Sequence, residues 1–276
     1  MRKRALVSIA LCLAHASCAS GSGAPPPLAY AVPGDPDVTY LVGDTVSIGL
    51  EALGQGAEIA ARSAATYSLH FAATSAGVRV TATVEDLDAE VAMPMAAALA
   101  MDEAALEGDF EFVLDRRGRA IEMSSPTANQ LGGQVFAAPV IAHTLFPRLP
   151  GTAVAVGDSW ADSVTYTETA DAGETRVRSS LTYEVVAETE DGARRLFDIT
   201  FSGSGEVTQD LNLEGARITQ ASQVEISGRV LWDAQSGLVY ESETTMEGPG
   251  TVRVALLPAA LPTRVRWHSR VRMQGR

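Results

Sequence analysis

The chain predicts an all-β fold, mainly antiparallel sheet curved into a half-barrel or sandwich, with one connecting helix between two similar halves. Three observations carry this reading. Short segments alternate apolar and polar residues with the period of half-buried strands. Turn-forming residues interrupt them at regular intervals. Landmarks of the first half then recur in the second. Val42-Gly43-Asp44-Thr45 returns as Val156-Gly157-Asp158-Ser159, Ser63–Leu69 lines up with Ser179–Val185 through Tyr67 and Tyr183, and Phe112–Gly118 lines up with Val230–Gly237 through Asp115 and Asp233. A repeat this long suits a duplicated module, not a solenoid. The expected pseudo-repeats are 38–124 and 152–248.

What precedes the fold reads as an address. Arg2-Lys3-Arg4 is a basic start, Ala5–Ala14 is an apolar run too short to span a bilayer, and small residues follow, so residues 1–17 are expected to be a signal peptide. Two cleavage sites compete. Cleavage after Ala16 satisfies the small-x-small rule, whereas Ser17-Cys18 resembles the lipobox of bacterial lipoproteins, with His15 where that family carries Leu. Cys12 falls inside the apolar run, which leaves Cys18 as the one cysteine of the processed chain, and lipidation would account for it. The resemblance implies a lipid on Cys18 and, with Ala19 next, sorting to the outer membrane facing the periplasm; the rival is a soluble periplasmic or secreted protein. Residues 18–37, rich in Pro, Gly and Ser, are expected to be a tether.

The segments then follow in order. Val38–Leu50, Ala65–Ala73 and Val78–Val84 read as strands, the last two joined at Ser75-Ala76-Gly77. Met93–Leu106 favours helix by propensity, while its counterpart in the second half alternates like strand, and both assignments stay open. Asp109–Leu114 turns at Asp115–Gly118 and returns along Arg119–Met123. The connector 125–150 is the helix candidate, with Ser125 to cap it, Pro126 for its first turn, Gly132-Gly133 and Pro139 to kink it, and Pro147 and Pro150 to end it. Its apolar residues Val135, Phe136, Leu145 and Phe146 are candidates to line a cavity as a lid, or to pack on the core as a plain connector. In the second half Asp162–Thr169, Thr175–Thr189, Arg194–Phe201, Val224–Trp232 and Leu238–Thr245 read as strands, with turns expected at Gly203-Ser204-Gly205, Gly215 and Gly248-Pro249-Gly250.

A last strand, 263–273, sets Val265, Trp267, Val271 and Met273 on one face. Arg264, Arg266, His268, Arg270 and Arg272 occupy the other. The four arginines suit anionic head groups or an acidic partner. They equally suit acidic strands of the same protein, or the blunting of an edge.

Composition narrows function. The formal charge is −13 and Lys3 is the only lysine, which argues against nucleic acid. No metal site is expected, since the histidines lack ligand spacing, and no cofactor motif is present. Gly157-Asp158-Ser159 resembles the GDSL-type esterase motif, but Trp160 and a strand-like run follow where a nucleophile needs a strand-to-helix turn. The motif therefore reads as a turn, no catalytic residue is assigned, and the chain is expected not to be an enzyme, with Ser159 the sole alternative nucleophile.

With its signal, spacer, Val-Gly-Asp-Ser-Trp turn and duplicated segments, the chain resembles uncharacterised β-rich bacterial lipoproteins of unknown function. More loosely, a long antiparallel sheet with a hydrophobic connecting helix is similar to half-barrel carriers of the LolA/LolB type, which implies a curved sheet around an apolar cavity. The expected partners are the membrane, through the lipid anchor, and a lipid or other apolar ligand; a filled-core structural or interaction lipoprotein is the alternative, and the sequence names no protein partner. Cells fed labelled palmitate are expected to label the wild-type protein and not a Cys18→Ala variant; label retained by the variant overturns the anchor.

Overall fold

Each long alternating stretch forms a strand. The computed structural model describes residues 27–50, 57–92, 98–128, 137–170, 173–192, 194–213, 216–255 and 259–274. The expected signal peptide, Cys18, Val135 and Phe136 lie outside these residues. The strands are β1 (Asp37–Leu50), β2 (Ala57–Ala73), β3 (Val78–Ala92), β4 (Leu99–Met101), β5 (Leu106–Glu107), β6 (Phe110–Leu114), β7 (Ala120–Ser124) and β8 (Thr127–Ala128), then β9 (Ser159–Ala170), β10 (Gly173–Asp191), β11 (Arg194–Leu213), β12 (Ala216–Asp233), β13 (Leu238–Val254) and β14 (Leu261–Met273). One α-helix, α1 (Ala138–Leu145), lies between β8 and β9. Among the described residues the fold is all-β with one α-helix, as expected.

The topology is two meanders joined at a seam. Across the main sheet the order is β7-β6-β3-β2-β1-β14-β13-β12-β11-β10-β9, with β4 beside the far end of β3 and every pairing antiparallel. The first meander runs outward from β1. The chain then crosses to the opposite edge at β9 and winds back until β14 lies against β1, from Tyr40↔Met273 to Leu50↔Thr263. The sheet is not closed, and β7 and β9 are its edges.

Inward side chains of both meanders merge into one core. It includes Tyr40, Tyr67, Phe110, Phe112, Phe197 and Trp232, all nearly inaccessible. At roughly 1.5–3 kcal/mol per large apolar side chain fully buried, these residues contribute a large share of the stability of the sheet. Phe110, Phe112 and Leu114 face inward as the alternation required. Tyr40 adds a buried hydrogen bond from its hydroxyl to the Val239 carbonyl, 2.7 Å.

Several expectations are corrected here. The tether ends earlier than 37: Leu28 and Tyr30 are buried, Pro27 bridges Ala153, and the N–H of Tyr30 donates to Arg116 O at 2.9 Å. The Pro/Gly count of this stretch hid two large apolar side chains that the core captures. Of the open segment 93–106, residues 99–101 and 106 are strand and Glu103–Ala105 is one 3-10 turn, while 93–97 lie outside the described residues. The described helix of the connector is only Ala138–Leu145. Pro139 starts it rather than kinking it, because its missing N–H falls in the first turn. Ser125 is not its N-cap, which is Ala137; from outside the helix its Oγ accepts the Ala138 N–H at 2.9 Å. Pro126 therefore precedes β8 instead of entering the helix.

Val156-Gly157-Asp158 makes the expected turn, with Gly157 at φ +93 and the Asp158 carboxylate accepting the Ala155 N–H. Its counterpart at Val42-Gly43-Asp44 is the middle of β1. The aspartates Asp115 and Asp233 behave alike, each accepting the N–H two residues on, from Arg117 and Gln235.

The glycine turns are the plainest error. Gly203 and Gly205 lie within β11, and Gly248 and Gly250 within β13. A Cβ on Gly203 would strike the carbonyl oxygen of Ser180, and one on Gly248 that of Gln223. These glycines let neighbouring backbones approach where the sheet curls. Pro249 sits where the β12–β13 ladder skips from Gly250 to Glu247, so its absent N–H breaks no pairing there. Gly215 lies outside the described residues. Gly203→Ala is expected to lower stability by about 1–3 kcal/mol through overpacking, whereas Gly43→Ala, whose Cβ would meet only Ser63 O at 3.9 Å, is expected to be neutral or stabilising by up to about 1 kcal/mol. Urea unfolding of both variants measures the contrast.

Candidate functional site

One cavity gathers residues from β1 and from each of β9 to β14. Its volume is about 380 Å³. Strands spaced about 4.8 Å apart would spread seven neighbours over about 29 Å if flat, against about 9 Å for the width of a sphere of this volume. The sheet therefore wraps around the cavity. Alternation selects the wall: Val164, Tyr166 and Glu168 on β9, then the odd residues Thr175–Tyr183 on β10, all on one face.

The connector forms the remaining side. Val140, His143 and Thr144 of α1 and Phe146, Pro147 and Arg148 after it line the cavity. Phe146 packs edge-on against Tyr30, Phe71 and Phe112, at 5.8, 6.5 and 5.9 Å between ring centres. On the opposite side His143 stacks on Tyr166 of β9 at 5.0 Å. The segment thus wedges between the two halves of the curled sheet.

Register orders the wall along its length. Trp160, Tyr183 and Phe201 share one level, with Trp160 stacked on Tyr183 at 5.2 Å and donating to the Arg148 carbonyl at 3.2 Å. At the other end Glu168, Thr175, Gln209 and Gln220 form a polar row across four strands. Val177, Leu181, Val207 and Ile226 fill the wall between. Burial raises the carboxyl of Glu168 above its ordinary range. Burial, then the nearby Arg148 charge, lowers His143 to about 3, so this imidazole is neutral at physiological pH. Burial likewise raises the Tyr166 hydroxyl.

Of the expected cavity residues, Phe146 lines the cavity and Leu145 is buried beside it; Val135 and Phe136 lie outside the described residues. The arginine strand has its charges met by β13: Arg264 and Arg266 by Glu247, Arg270 by Glu241, and His268 approaches Glu243 at 3.5 Å. Arg272 stands opposite Glu241 in the register. The other face of β14 contributes Val265 and Trp267 to the cavity. Ser159 is exposed at the start of β9, opposite Glu184, and His70 is exposed on β2 with its Nδ1 2.7 Å from Asp37. Among the described residues no group of three or more His, Cys, Asp or Glu is placed to hold a metal.

Arg148 escaped the sequence reading. Its signal was there, since it is the one charged residue of the apolar connector 125–150.

No protein-family model and no curated protein matches the chain. Among solved structures it is similar to OccK5 (OpdH) of Pseudomonas aeruginosa, at 8% identity and TM-score 0.28, covering 87% of this chain and 98% of that one. It is also similar to an outer membrane channel from Pseudomonas putida F1, at 8% identity and TM-score 0.19, covering 89% and 100%.

His143 makes stability depend on pH. Its folded pKa lies below the unfolded value near 6.5, so the unfolded chain binds the extra proton first. The contribution is complete above about pH 6.5 and is lost as pH falls towards 3. Between about pH 6 and 4 the wild type is expected to lose up to about 1.4 kcal/mol per pH unit more than His143→Phe. Parallel urea titrations check it, and equal slopes overturn it.

Proposed function

We propose that the chain is an exported envelope lipoprotein that holds a lipid or other apolar ligand between the curled sheet and α1. The observation that carries the reading is the cavity itself. It is a concave pocket with mostly apolar walls and a few convergent polar groups, the usual form of a small-molecule site. The basic start, the apolar run and Cys18 support export and anchoring, and the two meanders support a duplicated module.

The outward face supports a domain bathed in water. Arg229 pairs with Asp198 and Arg217 with Asp210, alongside the Arg–Glu pairs of β13 and β14. A sheet that crosses the outer membrane carries an apolar band on that face instead. Among the described residues no helix is long and apolar enough to cross a membrane. On this reading α1 is a lid over the cavity as well as a connector, and Ser159 has no catalytic role.

Native mass spectrometry is the direct test. The full chain carrying Cys18→Ala, released from a bacterial envelope without detergent, is expected to retain a bound species of lipid mass that is lost on denaturation. A bare protein mass overturns the reading and favours a filled-core interaction protein.

A further inference from the structure

Arg148 is a cation with too few partners. Its side chain is only 9% exposed, and Nη1 is buried with no hydrogen-bond partner in the protein. The nearest carboxylate, Asp162, stands 3.8 Å from Nε and is shared with Arg117 at 3.9 Å, so two guanidinium groups face one carboxylate. Asp115, the next acid in the field of Arg148, is engaged by the backbone N–H groups of Arg117 and Arg119 through its Oδ1. Tyr30 and Tyr183, also close by, are kept neutral by burial, which pushes both hydroxyls up. Arg148 and Arg117 thus stand against Asp162 and Asp115 with formal charges in balance, and what is missing is an acceptor for Arg148 Nη1. A buried donor left unpaired is costly, and more so when it belongs to a charged group. Arg148 lines the apolar cavity.

We propose that the cavity takes a single-chain amphiphile with an anionic head, the head pairing with Arg148 and the chain lying along the apolar wall towards the polar row at Glu168. The inference rests on the cavity being a ligand site and adds the ligand's class. Volume limits the number of chains: at about 30 Å³ for a water-sized group, about 380 Å³ takes roughly a dozen methylene-sized groups, which is one acyl chain and not two. The guanidinium fork suits a carboxylate or a phosphate, the two anions it can grip with parallel N–H groups. Neutral His143 and the part-buried Glu168 supply no competing cation.

Dodecanoate, dodecyl phosphate and dodecanol share the chain and differ in the head, so calorimetric titration of the delipidated protein with each separates the contributions. Dodecanoate is expected to bind about tenfold to a hundredfold more tightly than dodecanol, the worth of one hydrogen bond to a charged group. Arg148→Met is expected to bring the two to equal affinity without weakening dodecanol. Dodecyl phosphate matching dodecanoate assigns the contact to anions in general; weaker binding assigns it to the carboxylate. Equal binding of dodecanoate and dodecanol by the wild type overturns the head-group inference while leaving the cavity reading intact. Failure of all three to bind overturns the cavity reading itself. Should Arg148→Met not fold, the wild-type preference between the charged heads and the uncharged one still decides.

Discussion

The β1–β14 seam is the constraint on which the rest depends. Among the described residues it is the ladder that joins the first meander to the second, and it pairs the first long strand with the last. Such contacts carry a large loop-closure entropy and form late relative to local hairpins. Without the seam there would be two narrower sheets with four edges in place of two. The cavity would lose its continuity as well, because Val46 and Ile48 line it from one side of the seam and Val265 and Trp267 from the other. Every hairpin can form locally, but a wall curved around a ligand-sized space exists only once this long-range pairing is made.

Much of the sheet was legible because its physics is local. One face of each strand meets the core and the other meets water, so alternation marks β1, β6, β9, β10 and β14 within a few residues. The failures share a cause, which is that residue type was read without its neighbours. Gly203 and Gly248 look like turn residues by composition, yet they sit within strands because a backbone from the next strand crowds them. Asp44 carries the same local motif as Asp158 and lies mid-strand, between Ser269 and Ser63. Composition assigns Leu28 and Tyr30 to a spacer, but the space between Trp232 and Phe146 accommodates Tyr30, 5.0 and 5.8 Å away in edge-on contact. Ser125 looks like an N-cap by residue type, yet β8 follows it and the N-cap is Ala137; only the fold brings its hydroxyl to the Ala138 N–H.

The site was less legible than the fold. A connector rich in apolar residues announces burial and says nothing of what it is buried against. Phe146 could be nominated from its side chain alone. The polar row from Glu168 to Gln220 could not, because its four members come from four strands and meet only through register. Arg148 is the instructive case. A lone charge in an apolar segment is conspicuous, since burying an unpaired ion is among the most expensive acts in folding, and that rule alone would have marked it. The arginines of β14 drew attention by their number, yet they lie on the solvent side against glutamates of β13, where exposed pairs contribute little. Charge density pointed outward, while the buried charge that bears on the cavity was single.

An open sheet bridged by a helical segment differs physically from a closed barrel, and the difference bears on how a ligand would enter. In a barrel the circumference is held by continuous hydrogen-bonded ladders, and widening it means breaking backbone bonds in a row. Here β7 and β9 are not paired to each other, and the segment between them is fastened at Pro147–Leu149 by hydrogen bonds from Tyr30, Trp160 and Arg117, while farther along it the contacts are between rings: Phe146 on Phe71 and Phe112 at one side, His143 on Tyr166 at the other. Aromatic pairs of this kind contribute about 0.5–1.5 kcal/mol each beyond the area they bury, and they can separate without unravelling any ladder. The His143–Tyr166 contact closes the β9 side of the cavity without a ladder, and it lies one alternation step from Glu168, at the polar end. For an amphiphile whose head is held at Arg148, this places the yielding side next to the chain rather than the head. Opening there would admit the tail of a ligand while leaving the Trp160–Tyr183 stack and the Arg148 carbonyl bond undisturbed.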